Sequence, residues 1–302
     1  MYKIIIWGIG SIYNRLLNTI HYFEISDQIE IIALVTNENI NHMTLDGYPI
    51  IHRDEIPEKT YDYIIVASDI YFNEIVDDAV RNIGIGRDKI IPFRVMQIPN
   101  LNFDEYIKLK NSNLSIVSNN CWGGLICHTL GIECLSPFKN VSFSDADYIK
   151  LLKSFKEYLK LDPIWKGEKA LDQNSNTQVP ILKLGDISIK CNHELDGEIA
   201  IKNWKRRRNK FNWDNIFVEM YTESICIENE FLLLSEFEKK ICFVPFGSTK
   251  KQSIWIPMMS DQKKFWEAVN SNAGIGKNSL CYNVLDILLM KKTYRLGQTF
   301  LG

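Results

Sequence analysis

The chain has 302 residues, long enough for two domains of ordinary size, and its 46% hydrophobic and 24% charged residues suit a globular protein with a substantial interior. A formal net charge of −2 supplies no global field toward nucleic acid or an anionic membrane, so a nucleic-acid partner is excluded except through a local patch. No apolar run approaches the roughly 18 residues of a membrane-spanning helix. The seven cysteines are scattered, with no C-x-x-C pair and no Cys/His ladder, which points to reduced thiols in a cytoplasmic protein and to no metal site.

The first hundred residues alternate strand and helix. Lys3–Trp7 reads as a buried strand ending at Gly8-Ile9-Gly10-Ser11, and not as a secretion signal; a helix follows with Leu16, Leu17, Ile20 and Phe23 on one face. Glu30–Val35 and Asp62–Ser68 are further strands. Phe72 to Ile83 forms a helical stripe that stops at Gly84, and Lys89–Phe93 closes the series. Continuous apolar strands between helices predict a parallel sheet covered on both faces. From Arg94 to Asn113 the pattern breaks around one helix candidate, "FDEYIKLK", which sets the predicted domains at 1–98 and 99–302.

The pattern then resumes with the strand Leu114–Ser118 and a turn into a helix. A long amphipathic helix is predicted over Asp145–Lys160, capped by Ser144. Strands follow at "PILKL", "DISIKC", Ile216–Met220 and "KICFVPF". Helices are expected at Gly197–Arg208, Asp261–Asn270 and Leu280–Lys292. The fold class is α/β, with a second α/β domain behind the first.

Gly8 and Gly10, with Ser11 opening the helix, lie where a dinucleotide loop brings backbone close to phosphate at a helix N-terminus. The third glycine of that fingerprint is replaced by Tyr13. The acid expected after the second strand is replaced by Thr36 and Asn37, with Glu38 one or two places late. The first domain is therefore read as Rossmann-like. It binds a nucleotide or nucleotide-sugar, or serves as a plain strand-to-helix connection.

In the second domain, Asn119-Asn120-Cys121-Trp122-Gly123-Gly124 has the layout of a nucleophile elbow, with Asn119 in place of the usual glycine. A thiol in the first turn of a helix is expected to have a lowered pKa, with the Trp122 amide at the oxyanion position and the two glycines leaving room for a ligand. The competing reading is a capped tight turn with a core thiol. His128 is too far along the helix to serve Cys121, at a rise of roughly 10 Å over seven residues. His193, at the end of the strand "DISIKCNH", is the candidate base. In "IKNWKRRRNK" the default is a solvated basic face, with Arg206 or Arg207 turned inward as a fork for a diphosphate or a carboxylated sugar.

These blocks, Ser118–Gly124, Leu130–Asn140, Asp147–Leu159, Lys183–Glu194 and Lys202–Met220, resemble a bacterial family of unknown function often labelled exopolysaccharide biosynthesis proteins. The family pattern has an aromatic residue where this chain has Glu194. The resemblance implies a role in surface-polysaccharide production, as a transferase acting on a sugar or nucleotide-sugar. Nucleotide, nucleotide-sugar and acyl-coenzyme A are the candidate cofactors, and acyl transfer is among the chemistries. The expected partner is a small-molecule or saccharide substrate. Two alternatives stay open: a non-enzymatic module binding a nucleotide-sugar or oligosaccharide, and an NAD-dependent oxidoreductase.

Overall fold

The computed structural model describes residues 1–38, 44–172, 176–256 and 283–291. The helix expected over Asp261–Asn270 lies outside them. Of the one expected over Leu280–Lys292, a short helix, Val284–Leu288, is described. The chain divides into two compact units: Met1–Asn111 with Thr129–Ile132, and Ser112–His128 with Glu133–Gly302.

Unit 1 holds a six-stranded sheet. Its strands are β1 (Tyr2–Trp7), β2 (Ile29–Thr36), β3 (Thr44–Leu45), β4 (Tyr48–His52), β5 (Tyr63–Val66) and β6 (Ile90–Pro92), in the order β3-β4-β2-β1-β5-β6. All neighbours run parallel except the β3–β4 hairpin. Ile5, Ile6, Leu34 and Ile64 are fully buried, the mark of strands covered on both faces. Helix α1 (Ser11–Ile25) turns Ile12, Tyr13, Leu16, Ile20 and Phe23 inward. Helix α2 (Phe72–Asp78) runs into a π turn, Ala79–Ile83, and stops at Gly84, whose φ of +81° suits a residue without Cβ. The stretch that breaks the sequence pattern is built into this unit. In α3 (Phe103–Lys110), Phe103 and Tyr106 are fully buried, and the Tyr106 hydroxyl donates to the Leu130 carbonyl at 2.7 Å.

Unit 2 holds two four-stranded sheets. One is parallel, with β7 (Ser115–Ser118), β12 (Ile216–Tyr221), β13 (Lys240–Val244) and β14 (Ser253–Trp255) in the order β14-β13-β12-β7. The other is antiparallel, with β8 (Val141–Ser142), β9 (Ile164–Asp172), β10 (Thr177–Leu184) and β11 (Ile187–Cys191) in the order β8-β11-β10-β9. Among the described residues its helices are α4 (Trp122–Leu130), α5 (Asp145–Lys153), α6 (Phe155–Lys160), α7 (Gly197–Arg208), α8 (Ile225–Leu232) and the short Val284–Leu288. One core joins these layers. Val117, Val218 and Met220 of the parallel sheet meet Leu182, Ile187 and Ile189 of the antiparallel one, with Tyr148, Leu151 and Leu152 of α5.

The single helix expected over Asp145–Lys160 is two, because Ser154 leaves helical geometry at φ −131°, ψ 41°. Phe155 follows the break and packs its ring against Phe138, Phe211 and Phe237 at 5.5–5.8 Å between centroids. Strand β9 escaped the sequence reading for a physical reason. It is a polar edge strand, exposed along most of its length, and shows no apolar alternation.

Candidate functional site

The site grows from the ends of two neighbouring parallel strands. Glu219 on β12 lies opposite Ser118, the last residue of β7. Beyond Ser118 a side chain continues the ladder. Asn119 Oδ1 accepts from the Tyr221 amide at 3.0 Å, and Asn119 Nδ2 donates to the Tyr221 carbonyl at 2.9 Å. Asn120 Nδ2 donates to Asn119 Oδ1 at 2.9 Å and to Glu219 Oε1 at 3.1 Å. Asn120 Oδ1 accepts from the Trp122 amide at 2.8 Å, capping a backbone donor at the start of α4.

The opposite wall comes from the start of α5 and the chain leaving β12. Ser144 caps α5 by accepting from the Asp147 amide at 3.1 Å, which places Asp145 in the first turn. The Thr222 hydroxyl donates to Asp145 Oδ2 at 2.6 Å, and the Tyr221 hydroxyl donates to Glu223 Oε1 at 3.1 Å. Asn119, Asn120, Phe143, Asp145, Thr222 and Glu223 are among the residues lining a cavity of about 290 Å³. It opens at the carboxyl ends of β7 and β12, the edge at which parallel sheets hold ligands.

The lining carries two carboxylates, two amides, hydroxyls and aromatic rings, with no lysine or arginine. Burial raises the Asp145 carboxyl above its ordinary value; the Thr222 hydrogen bond opposes this, and Glu223 adds to it. Just beneath, Glu219 is fully buried, and burial pushes it up to about 8 against the pull of Asn120 and Ser118. Such a pocket favours hydroxyl groups that donate to its carboxylates, and disfavours an anion.

Of the residues expected from sequence, Asn119 and Asn120 reach this pocket. Cys121 does sit at the turn, and its carbonyl accepts the first intrahelical bond of α4 from the Leu125 amide. Its pKa is not lowered as expected: burial pushes the thiol up to about 11, with Asn192 opposing. The contact across to β11 comes from Asn192, whose Nδ2 donates to Cys121 Sγ at 3.1 Å. His193 is exposed on the turn after the strand, which ends at Cys191. His128 is exposed on α4.

Packing bears on the remaining expectations. Trp122 is fully buried against the rings of Phe217 and Phe243, so it belongs to the core. The two glycines make room for the protein and not for a ligand. A Cβ on Gly123 would lie 2.8 Å from Ile116 and Ser118, and one on Gly124 would lie 2.5 Å from Asn140 Oδ1. Arg207 does turn inward, but Nη1 donates to the Lys139 carbonyl at 3.2 Å and Nη2 lies 3.8 Å from Glu194. Arg206 is exposed and donates to Asn203. Acids answer other cations of that helix end: Asp162 pairs with Lys205 and Arg208, and Glu133 with Lys210.

Sequence reasoning missed Thr222 and Glu223, and placed Asp145 only as the first residue of a predicted helix. One signal was available: Glu219 is an acid inside the buried strand "IFVEM".

In unit 1, Gly8 takes φ +112°, and a Cβ there would lie 3.0 Å from the Ala67 carbonyl oxygen, so its glycine is required by the fold. Gly10 precedes α1 with open space around it, and Ser11 is exposed as the first helical residue. The ring of Tyr13 is fully buried and its hydroxyl donates to Asp46 at 2.9 Å, closing the position where the fingerprint has its third glycine. Thr36 Oγ1 accepts from the Glu38 amide at 3.2 Å.

Residues 93–290 match the family described as Domain of unknown function (DUF1919), which covers well over half of the chain. The chain belongs to this family. Residues 1–91 match a second family, described as C2185-like, N-terminal. An uncharacterized protein of Haemophilus influenzae is 27% identical over 138 residues, covering 45% of this chain and 64% of its own length. The chain thus spans just under two thirds of that relative. A mutant meso-dapdh of Clostridium tetani, solved with DAP, aligns over 78% of this chain and 75% of its own, at 15% identity. The TM-score of that alignment is 0.22. Among the described residues, no helix is long and apolar enough to cross a membrane, and no group of three or more His, Cys, Asp or Glu side chains could hold a metal ion.

Proposed function

We propose that this DUF1919 protein is a transferase of surface-polysaccharide biosynthesis that seats a sugar in the pocket between β7, β12 and α5. The observation that carries this reading is the pocket lining. Asn119 and Asn120 face Asp145 and Glu223 across a cavity beside the Phe143 ring, which is the chemistry of polyhydroxyl recognition. The resemblance to exopolysaccharide-associated proteins supports the same substrate class. A volume of about 290 Å³ suits one sugar ring better than a whole nucleotide-sugar.

In this reading Asp145 is the general base. As a carboxylate it accepts the proton of a sugar hydroxyl while that oxygen forms its bond to the transferred group, and the leaving group departs with the electrons of the bond it breaks. A raised pKa makes Asp145 a stronger base than a solvated aspartate, and Thr222 holds its orientation. Glu223 adds negative charge that disfavours anionic groups in this pocket. In unit 1 the Rossmann-like reading rests on the strand order about β1 and the open space at Gly10, where a nucleotide's phosphate could approach α1.

The test is a thermal-shift series on the full chain with neutral hexoses, N-acetylhexosamines, nucleotide-sugars, coenzyme A thioesters and NAD(H). The proposal expects stabilisation by a neutral or N-acetylated sugar and loss of that shift in Asp145→Asn. Stabilisation by NAD(H) alone would favour the oxidoreductase reading instead, and the absence of any sugar response would contradict the proposal.

A further inference from the structure

Glu219 sits in the middle of β12 with none of its surface exposed. Oε1 accepts from Asn120, the Ser118 hydroxyl also faces the carboxyl and favours its charged form, and Oε2 is buried with no partner at hydrogen-bond geometry. The titratable groups facing it are the Cys121 thiol from the turn before α4, the Tyr148 phenol from α5 and the Cys242 thiol from β13. Burial raises all three, so each is neutral near neutral pH, and none is a cation. The Tyr148 hydroxyl meets backbone, the carbonyls of Val117 at 3.0 Å and of Glu219 itself at 2.8 Å. A carboxylate at this place is an uncompensated buried charge; the neutral acid is not.

The pocket depends on this group through a short chain of bonds. Asn120 Nδ2 has two hydrogens, one directed to Asn119 and the other to Glu219. Asn119 in turn is paired with the Tyr221 backbone, and Asn120 Oδ1 holds the Trp122 amide. We propose that Glu219 is a positioning residue for the pocket: through Oε1 it holds Asn120, and through it Asn119 and the Trp122 amide, and its ionisation, which places an uncompensated charge in the core, rearranges that group. The consequence for ligand binding rests on the sugar-pocket reading above. The arrangement itself can be measured with no ligand present, so failure of one is distinguishable from failure of the other.

The experiment uses the full chain labelled with ¹⁵N-tryptophan, which gives seven backbone signals, with that of Trp122 identified by Trp122→Phe. A titration from about pH 6 to 9.5 should move the Trp122 amide with a midpoint between about 7 and 9. The Glu219→Gln variant, a neutral mimic of the acid, should show a flat Trp122 signal near its low-pH position. Cys121→Ser should keep the midpoint. A Trp122 amide that does not titrate in the unmodified protein overturns the proposal, and so does a Glu219→Gln variant that titrates as before. Loss of the midpoint in Cys121→Ser would assign the event to the thiol and overturn it too. The unmodified protein and Cys121→Ser suffice should Glu219→Gln fail to fold.

Discussion

Cys121 and Glu219 flank the same asparagine, and burial moves both toward their neutral forms, to about 11 and about 8. For the thiol this opposes activation: a reactive cysteine needs its thiolate, and Cys121 holds a proton at neutral pH. Iodoacetamide at about pH 7.5 should therefore alkylate Cys121 no faster than a free thiol of ordinary pKa near 8.5. Mass-spectrometric peptide kinetics would read this, and a markedly faster rate would restore the nucleophile. Asn119 and Asn120 were legible in the sequence because a strand-to-helix turn advertises itself locally. Asp145, Thr222 and Glu223 were not, since the Thr222–Asp145 bond closes a separation of 77 residues and the Asn119–Tyr221 pair one of 102. No local pattern records such a meeting.

Elements pack through their glycines in two different ways. Gly123 lets α4 lie against β7, with Ile116 and Ser118 where a Cβ would go. Gly123→Ala should cost about 1–3 kcal/mol by overpacking, read as a lower denaturation midpoint at unchanged slope. Gly10 precedes α1 in open space with φ −88°, so Gly10→Ala should cost only the loss of a better helix cap, about 0.5–1 kcal/mol, and less than Gly123→Ala. Equal losses at both positions would contradict this account of the turns. Most strands of the parallel sheets were legible because they are short, apolar and buried on both faces; β4, only partly buried, and β14, three residues long, were not. The antiparallel sheet was only half legible, because β9 is exposed and polar and its place is set by β10 alongside it. The break at Ser154 was hidden because Leu152, Phe155 and Leu159 keep helical spacing across it and all remain buried.

At the scale of the whole molecule, the buried acid links stability to pH. Glu219 is raised from 4.5 to about 8, so the folded chain keeps a proton that the unfolded chain has released. Its contribution is fully present below the unfolded value and is lost as pH rises through the folded one. The slope is at most about 1.4 kcal/mol per pH unit between those limits. Wild-type stability, read by urea denaturation, should therefore fall relative to Glu219→Gln between about pH 5 and 8 and level off above. A constant difference across that range would mean that Glu219 is ionised in the folded chain. This proton also bears on the pocket, because Glu219 and the lining asparagines form one hydrogen-bonded group.

The central claim is that the working surface is the carboxylate-and-amide pocket and not the neighbouring thiol. Calorimetric titration of the stabilising sugar into two variants, Asp145→Ala and Cys121→Ala, tests it most directly. The account predicts that Asp145→Ala abolishes measurable binding while Cys121→Ala binds as the unmodified chain does. Binding lost in Cys121→Ala and kept in Asp145→Ala would contradict it.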